Sequence, residues 1–396
     1  MKYDFDKIYD RKNTGCLKWD EMKHIFGKDD LIPLWIADMD FPIAEPIKEA
    51  IKNRADHPFY GYTQAKESLL EAICNRLENK FNWKIDPEWI VFTPGVIPAL
   101  NYAIRSIAYP GDGIILQEPC YHPFFPTIKN SGCQVVNNQL KLINCHYEID
   151  FDGLKSLLKS ESGRISHYKP IKSMIFCNPH NPVGRVWTKE EITKVGEIAL
   201  ENDLKIISDE IHSEILFNNN KHTSFATISP EFEQNSIVCI SPSKTFNIPG
   251  LNISSIIIPN DKLRKEFISA QLGLPSPNLF AYTAFEAAFR YCDDWLEEVL
   301  EYLHGNLNLL IDYVDKFENV ALIKPEGTYL IWLDFRGLNM DGATLNSLLK
   351  DNAGVALEEG SIFGESGNGF MRMNIAIPRP LLKIALEKID FALKSL

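Results

Sequence analysis

Three short polar clusters each follow an apolar run that reads as a buried strand. They are Asn178-Pro179-His180-Asn181-Pro182, Asp209-Glu210-Ile211-His212 and Ser241-Pro242-Ser243-Lys244-Thr245-Phe246. Together they offer an amide, a carboxylate and an amine, and open α/β sheets build ligand crevices from polar groups at strand ends. A lysine in such a place is a nucleophile or a general base. Arg372, in the apolar run Phe370-Met371-Arg372-Met373-Asn374-Ile375, is a charge that needs a partner once buried. A bidentate ligand carboxylate supplies one, and an intramolecular salt bridge serves equally well.

This set suits pyridoxal phosphate, which takes a lysine as its Schiff-base partner and an acid beside its pyridine nitrogen. Lys244 is the expected Schiff-base lysine and catalytic base, Asp209 the ring-nitrogen partner and Asn181 the ring-oxygen donor. Gly95-Val96-Ile97 opens a helical pattern whose free amides favour a phosphate, so Val96 and Ile97 are expected there. Ser241 and Ser243 add hydroxyls beside the lysine, and Tyr121 is placed to stack on a ring. Each residue alone also fits a plainer role: Asp209 a helix cap, Asn-Pro-His-Asn-Pro a turn, Tyr121 a core aromatic.

The elements that must position these groups alternate. Strands are expected near 89–92, 114–117, 134–136, 173–177, 205–208, 237–240 and 253–258, with helices over 96–108 and 188–202. Thr188 and Glu191 form a capping box for the second of these helices. This rhythm predicts an α/β fold with a large, mostly parallel central sheet flanked by helices. From about residue 280 the texture changes. One long helical stretch spans 281–317, with Trp295, Leu296, Val299, Leu300 and Leu303 at helical spacing. Strands follow at 321–323 and 329–334, then helices at 341–351 and 380–395. We read residues 46–285 as a large cofactor-binding domain, and 1–45 with 286–396 as a smaller α+β domain. The stretch 159–169, rich in serine and basic residues, reads as a surface loop.

The 396 residues carry a net charge of −12, which argues against a nucleic-acid surface. Eight scattered cysteines form no C-x-x-C pair, so neither a zinc site nor a disulfide framework is expected. No apolar run has a membrane span's length, and residues 1–6 lack a signal peptide's apolar stretch. A cytoplasmic protein without metal, membrane or nucleic-acid partner is expected.

With these residues assembled, the chain resembles fold-type I pyridoxal-phosphate enzymes of the class I/II aminotransferase superfamily, over nearly its whole length. Asn181 is followed by Asp209 after 28 residues, by Lys244 after 35 more, and by the late Arg372. Within that superfamily it is most similar to the MalY/PatB group of cystathionine β-lyase-like C–S lyases. The match lies in Trp35-Ile36-Ala37-Asp38-Met39-Asp40-Phe41, Phe59-Tyr60-Gly61-Tyr62, Asp209-Glu210-Ile211-His212, Ser243-Lys244-Thr245-Phe246-Asn247-Ile248-Pro249-Gly250-Leu251 and Gly327-Thr328-Tyr329-Leu330-Ile331-Trp332.

The resemblance implies a homodimer with shared active sites. In it Tyr62 reaches the neighbouring subunit's phosphate, Ile36 and Ala37 line the substrate mouth, and Arg372 grips the α-carboxylate. His212, counted with the cofactor-binding residues, stands where many members have tyrosine. Asn252 stands where many have a phosphate-binding arginine. The implied reaction is α,β-elimination from cystathionine, cystine or another cysteine S-conjugate. Lys244 takes the Cα proton, a thiol leaves Cβ, and the aminoacrylate hydrolyses to pyruvate and ammonia. The same residues also fit an aminotransferase. A non-catalytic cofactor-binding regulator fits less well, since Lys244 is retained and no basic DNA-binding segment is present.

Overall fold

The computed structural model describes residues 2–159 and 170–396, so most of the loop expected at 159–169 lies outside the described residues. Seven strands form the central sheet: β1 (Ile90–Thr93), β2 (Gly113–Leu116), β3 (Gln134–Asn137), β4 (Ile171–Cys177), β5 (Lys205–Asp209), β6 (Ser236–Ile240) and β7 (Ser254–Ile257). Their order is β1-β7-β6-β5-β4-β2-β3. Pairing is parallel except at β7, which runs antiparallel to both neighbours. Crossover helices cover both faces, so the strands read as continuous apolar runs.

Alternate side chains still part to opposite sides, as strand geometry requires. Met174, Phe176 and Ile206 pack with Ile192 and Val195 of helix α1 (Lys189–Glu201). Ile175, Cys177 and Ile207 pack under Ala99, Leu100 and Ala103 of the helix Val96–Ile107. The capping box is present: Thr188 accepts from the Glu191 amide and Glu191 accepts from the Thr188 amide.

A second sheet comprises β8 (Ala321–Leu322), β9 (Leu330–Asp334), β10 (Glu358–Glu359) and β11 (Phe370–Asn374), in the antiparallel order β8-β9-β11-β10. It shares one apolar cluster with the helices α2 (Asp293–Val314) and α3 (Arg379–Lys394) and with Phe5, Leu34 and Phe41 from the N-terminal stretch. Ile32–Pro33 pairs in parallel with Val355–Ala356, which ties the two ends of the chain together.

The single helix expected over 281–317 is two helices, Leu279–Tyr291 and α2, meeting at Cys292. Arg290 ends the first and Asp293 and Asp294 start the second, the charges that favour a helix end and a helix start. The helix expected over 341–351 is Gly342–Ser347 followed by one π-helical turn, Leu348–Asn352. The N-terminal stretch holds two short helices, Leu17–Asp20 and Met22–Phe26.

Candidate active site

The carboxyl ends of the parallel strands open on a cavity of about 240 Å³. Ala37, Val96, Ile97, Tyr121, Asn181, Asp209, His212, Ser243 and Lys244 all line it. Topology brings them together. Asp209 is the last residue of β5, Asn181 follows β4, and Lys244 sits in the short helix Pro242–Thr245 after β6. Gly95 caps the helix Val96–Ile107 at φ 117°, a conformation that favours glycine, and lets that helix aim its first amides into the cavity.

The Lys244 ammonium donates to the Ala37 carbonyl at 2.6 Å. Burial pushes its pKa down to about 8; Asp38 and Asp209 oppose that, and Arg372 adds to it. Asp209 is buried and accepts the Ile211 amide at 3.2 Å. Burial lifts its pKa to about 7, against the pull of the Ile211 amide and Lys244 and with the push of Glu210. Burial, with Lys244 and Arg372 nearby, holds His212 down at about 3, a neutral ring whose Nδ1 has no hydrogen-bond partner among the described residues.

Arg372 lies in β11, buried, and does not itself line the cavity wall. Its Nη1 donates to Asn181 Oδ1 at 3.2 Å, and its Nη2 donates to the Trp35 carbonyl at 2.8 Å and to Glu358 Oε2 at 3.2 Å. The intramolecular salt bridge left open by the sequence is therefore present, and it sits one hydrogen bond from Asn181. Phe363 covers a face of the guanidinium at 4.9 Å.

Besides Arg372, three expected residues stand off the cavity wall. Ser241 turns inward: its Oγ donates to the Ile253 carbonyl at 2.7 Å and accepts the Ser243 amide, capping the lysine's helix. Ile36 contributes its carbonyl, which accepts Asn374 Nδ2 at 2.6 Å, rather than a cavity wall. Tyr62 is fully exposed, beside exposed Phe59 and Tyr60.

Other residues hold this arrangement without having been singled out. Tyr329 donates to the same Ala37 carbonyl as Lys244, at 3.1 Å. Asn247 donates to the Met39 and Phe41 carbonyls and accepts the Met39 amide. Lys18, buried, reaches Asp40 at 2.6 Å and the Asp38 carbonyl at 3.2 Å. A strap, residues 35–41, is thus fixed from several sides. Asn247, Tyr329 and Asn374 lie inside segments whose pattern was legible, but an asparagine that ties down a distant carbonyl leaves no local signal. Glu358, in the two-residue strand β10, left none either.

The donor set fits pyridoxal phosphate. Among the described residues no cation lies within 4.0 Å of the Asp209 carboxylate, and Lys244 acts on it from farther off, so a protonated ring nitrogen would supply a direct partner. The amides of Val96 and Ile97 offer an anion site, and Asn181, Tyr121 and Lys244 line the same cavity.

The family described as aminotransferase class I and II matches residues 29–389. The chain is 40% identical over 393 residues to cystathionine beta-lyase PatB of Bacillus subtilis, covering 98% of this chain and 99% of that protein. It is 32% identical over 398 positions to protein MalY of Escherichia coli, covering 99% of each. The solved structure of a pyridoxal-phosphate-bound C–S lyase from Staphylococcus hominis superposes with a TM-score of 0.91 at 34% identity, covering 99% of this chain and 98% of that one.

Proposed function

We propose that this chain, which belongs to the class I and II aminotransferase family, is a pyridoxal-phosphate-dependent carbon–sulfur β-lyase. It cleaves L-cystathionine or a related cysteine S-conjugate to a thiol, or cystine to the persulfide thiocysteine, with pyruvate and ammonia in each case. The observation that carries this reading is the full-length identity with PatB, because the cavity's groups serve amino transfer equally well.

When bound, the cofactor supplies an electron sink for the charge left at the substrate Cα. Val96 and Ile97 would hold its phosphate, Asp209 its ring nitrogen, Asn181 its ring oxygen, and Tyr121 its face. Arg372 grips the substrate α-carboxylate and so fixes Cα relative to Lys244. Lys244, with a pKa of about 8, takes the Cα proton as a neutral amine at a mild cost near neutral pH. The C–S bond breaks with its electron pair on sulfur, and the thiolate takes a proton from Lys244, water or a tyrosine. Water completes the balance: cystathionine and water give homocysteine, pyruvate and ammonia.

The same reading extends to assembly. Exposed Phe59, Tyr60 and Tyr62 support a homodimer in which Tyr62 serves the neighbouring subunit's phosphate. The tie between Ile32–Pro33 and Val355–Ala356 supports a smaller domain of residues 1–45 with 286–396 beside a large one of 46–285. Eight free cysteines suit a reducing cytoplasm. Among the described residues no helix is long and apolar enough to cross a membrane.

The test follows pyruvate and thiol together from L-cystathionine with cofactor-loaded protein. Equal appearance of both is expected, lowered by roughly 10²–10⁴-fold in Lys244→Ala. Absence of pyruvate, with amino transfer to an added keto acid, would move the chain to the aminotransferases.

A further inference from the structure

Arginine grips a carboxylate through one of two forks, Nη1 with Nη2 or Nε with Nη2, so every bidentate mode uses Nη2. In Arg372 both Nη2 hydrogens are engaged, by the Trp35 carbonyl and by Glu358. Nη1 donates to neutral Asn181, and Nε is buried without a partner among the described residues. Among the described residues Glu358 is the one carboxylate within 4.0 Å of this guanidinium.

The pairing is built into the sheet. Glu358 in β10 stands directly opposite Arg372 in β11, so their side chains share a face. The Glu358 side chain is 16% exposed, which limits screening by water. The Trp35 carbonyl belongs to the strap, whose neighbouring carbonyls are tied down by Asn374 and Lys244. The acceptor free to yield at Nη2 is therefore the Glu358 side chain.

We infer that Glu358 is a specificity-determining residue, whose carboxylate competes with the substrate α-carboxylate for Nη2 of Arg372. This rests on the reading of Arg372 as the α-carboxylate fork. An arriving carboxylate puts two anions on one cation, and like charges at short range disfavour each other. Glu358 keeps the guanidinium paired before substrate arrives, and for that reason weakens the grip on every carboxylate that follows.

The test is calorimetric titration of cofactor-loaded protein with L-norleucine, which carries no leaving group on Cβ, and with n-pentylamine, the same chain without the carboxylate. In Glu358→Gln the ratio of the two affinities is expected to shift about tenfold toward norleucine, the effect of relieving roughly one pKa unit of repulsion. Glu358→Ser, neutral and smaller, is expected to shift it the same way and serves should the glutamine variant fail to fold. A ratio unchanged or shifted toward the amine in a folded variant overturns the inference, and makes Glu358 a support that holds Arg372 in place. Cystathionine cleavage by the wild type is scored separately. A shifted ratio without pyruvate would sink the lyase reading alone, and pyruvate without a shifted ratio would sink the competition alone.

Discussion

Asp209 ends a buried strand with a carboxyl group that burial lifts to about 7. A raised pKa means that the folded, cofactor-free protein binds this proton more tightly than the unfolded chain does. Its contribution to stability is complete below the ordinary value of 3.8 and is lost as pH rises through about 7. Cofactor-free Asp209→Asn, which has no such charge to bury, should be more stable than wild type at pH 8, by as much as a few kcal/mol, and should lose that advantage at pH 4. Urea unfolding at the two pH values measures it, and parallel wild-type and variant curves would sink the argument. Lys244 carries the opposite shift, down to about 8, so its amine becomes the neutral nucleophile near that pH. Loading of cofactor-free protein should accelerate as pH rises toward 8 and then level, followed by the change in cofactor absorbance. A rate flat from pH 6 to 9 would place the amine's pKa elsewhere.

The strap of residues 35–41 is where element and site meet. Lys244 and Arg372 both donate to its carbonyls, and a buried charge cluster holds it from behind. Burial alone would raise the pKa of Asp40, yet Lys18 and Arg11 hold it below the usual carboxylate range. Lys18→Met takes away the buried one of Asp40's two cations and leaves Arg11 and the Trp19 indole to hold the carboxylate, at a cost of up to about 3 kcal/mol near neutral pH. The lowered pKa fixes the sign: the pair's contribution is present above the ordinary 3.8 and is lost as pH falls through Asp40's own value. The gap between wild type and variant should therefore close on acidification, and a gap independent of pH would assign Lys18 a packing role only. This element also marks the limit of what the sequence disclosed. Strands, the Thr188 cap and the polar strand ends were legible because period and capping are local properties. The break at Cys292 was not, because the apolar stripe runs through it. The strap's anchors were not, because Lys18, Asn247 and Asn374 act on residues far away in the chain. Ser241 was half legible: its place beside Lys244 was clear, but nothing local said that its hydroxyl caps a helix and bonds Ile253.

At the scale of the whole molecule, the proposed homodimer would complete each site with a residue from the second chain. Val96 and Ile97 offer amides for a phosphate, and Asn252 brings no charge where an arginine is common in the wider superfamily. Tyr62, proposed to serve that phosphate, is fully exposed on its own subunit and lies off its own cavity wall. If it completes the partner's site, Lys244→Ala and Tyr62→Ala damage different halves of each site. In a mixed dimer one site then carries both lesions and the other carries none. Each variant alone should be poor, Lys244→Ala inactive and Tyr62→Ala weak in holding cofactor. Unfolding and refolding the two together at equal concentration pairs subunits at random, half of the dimers are mixed, and about a quarter of all sites become intact. Pyruvate formation should return to about that fraction of wild type, and separately refolded variants pooled afterwards should not regain it. Activity that stays at the level of the separate variants after joint refolding would place Tyr62 in its own subunit's machinery, or outside the site altogether.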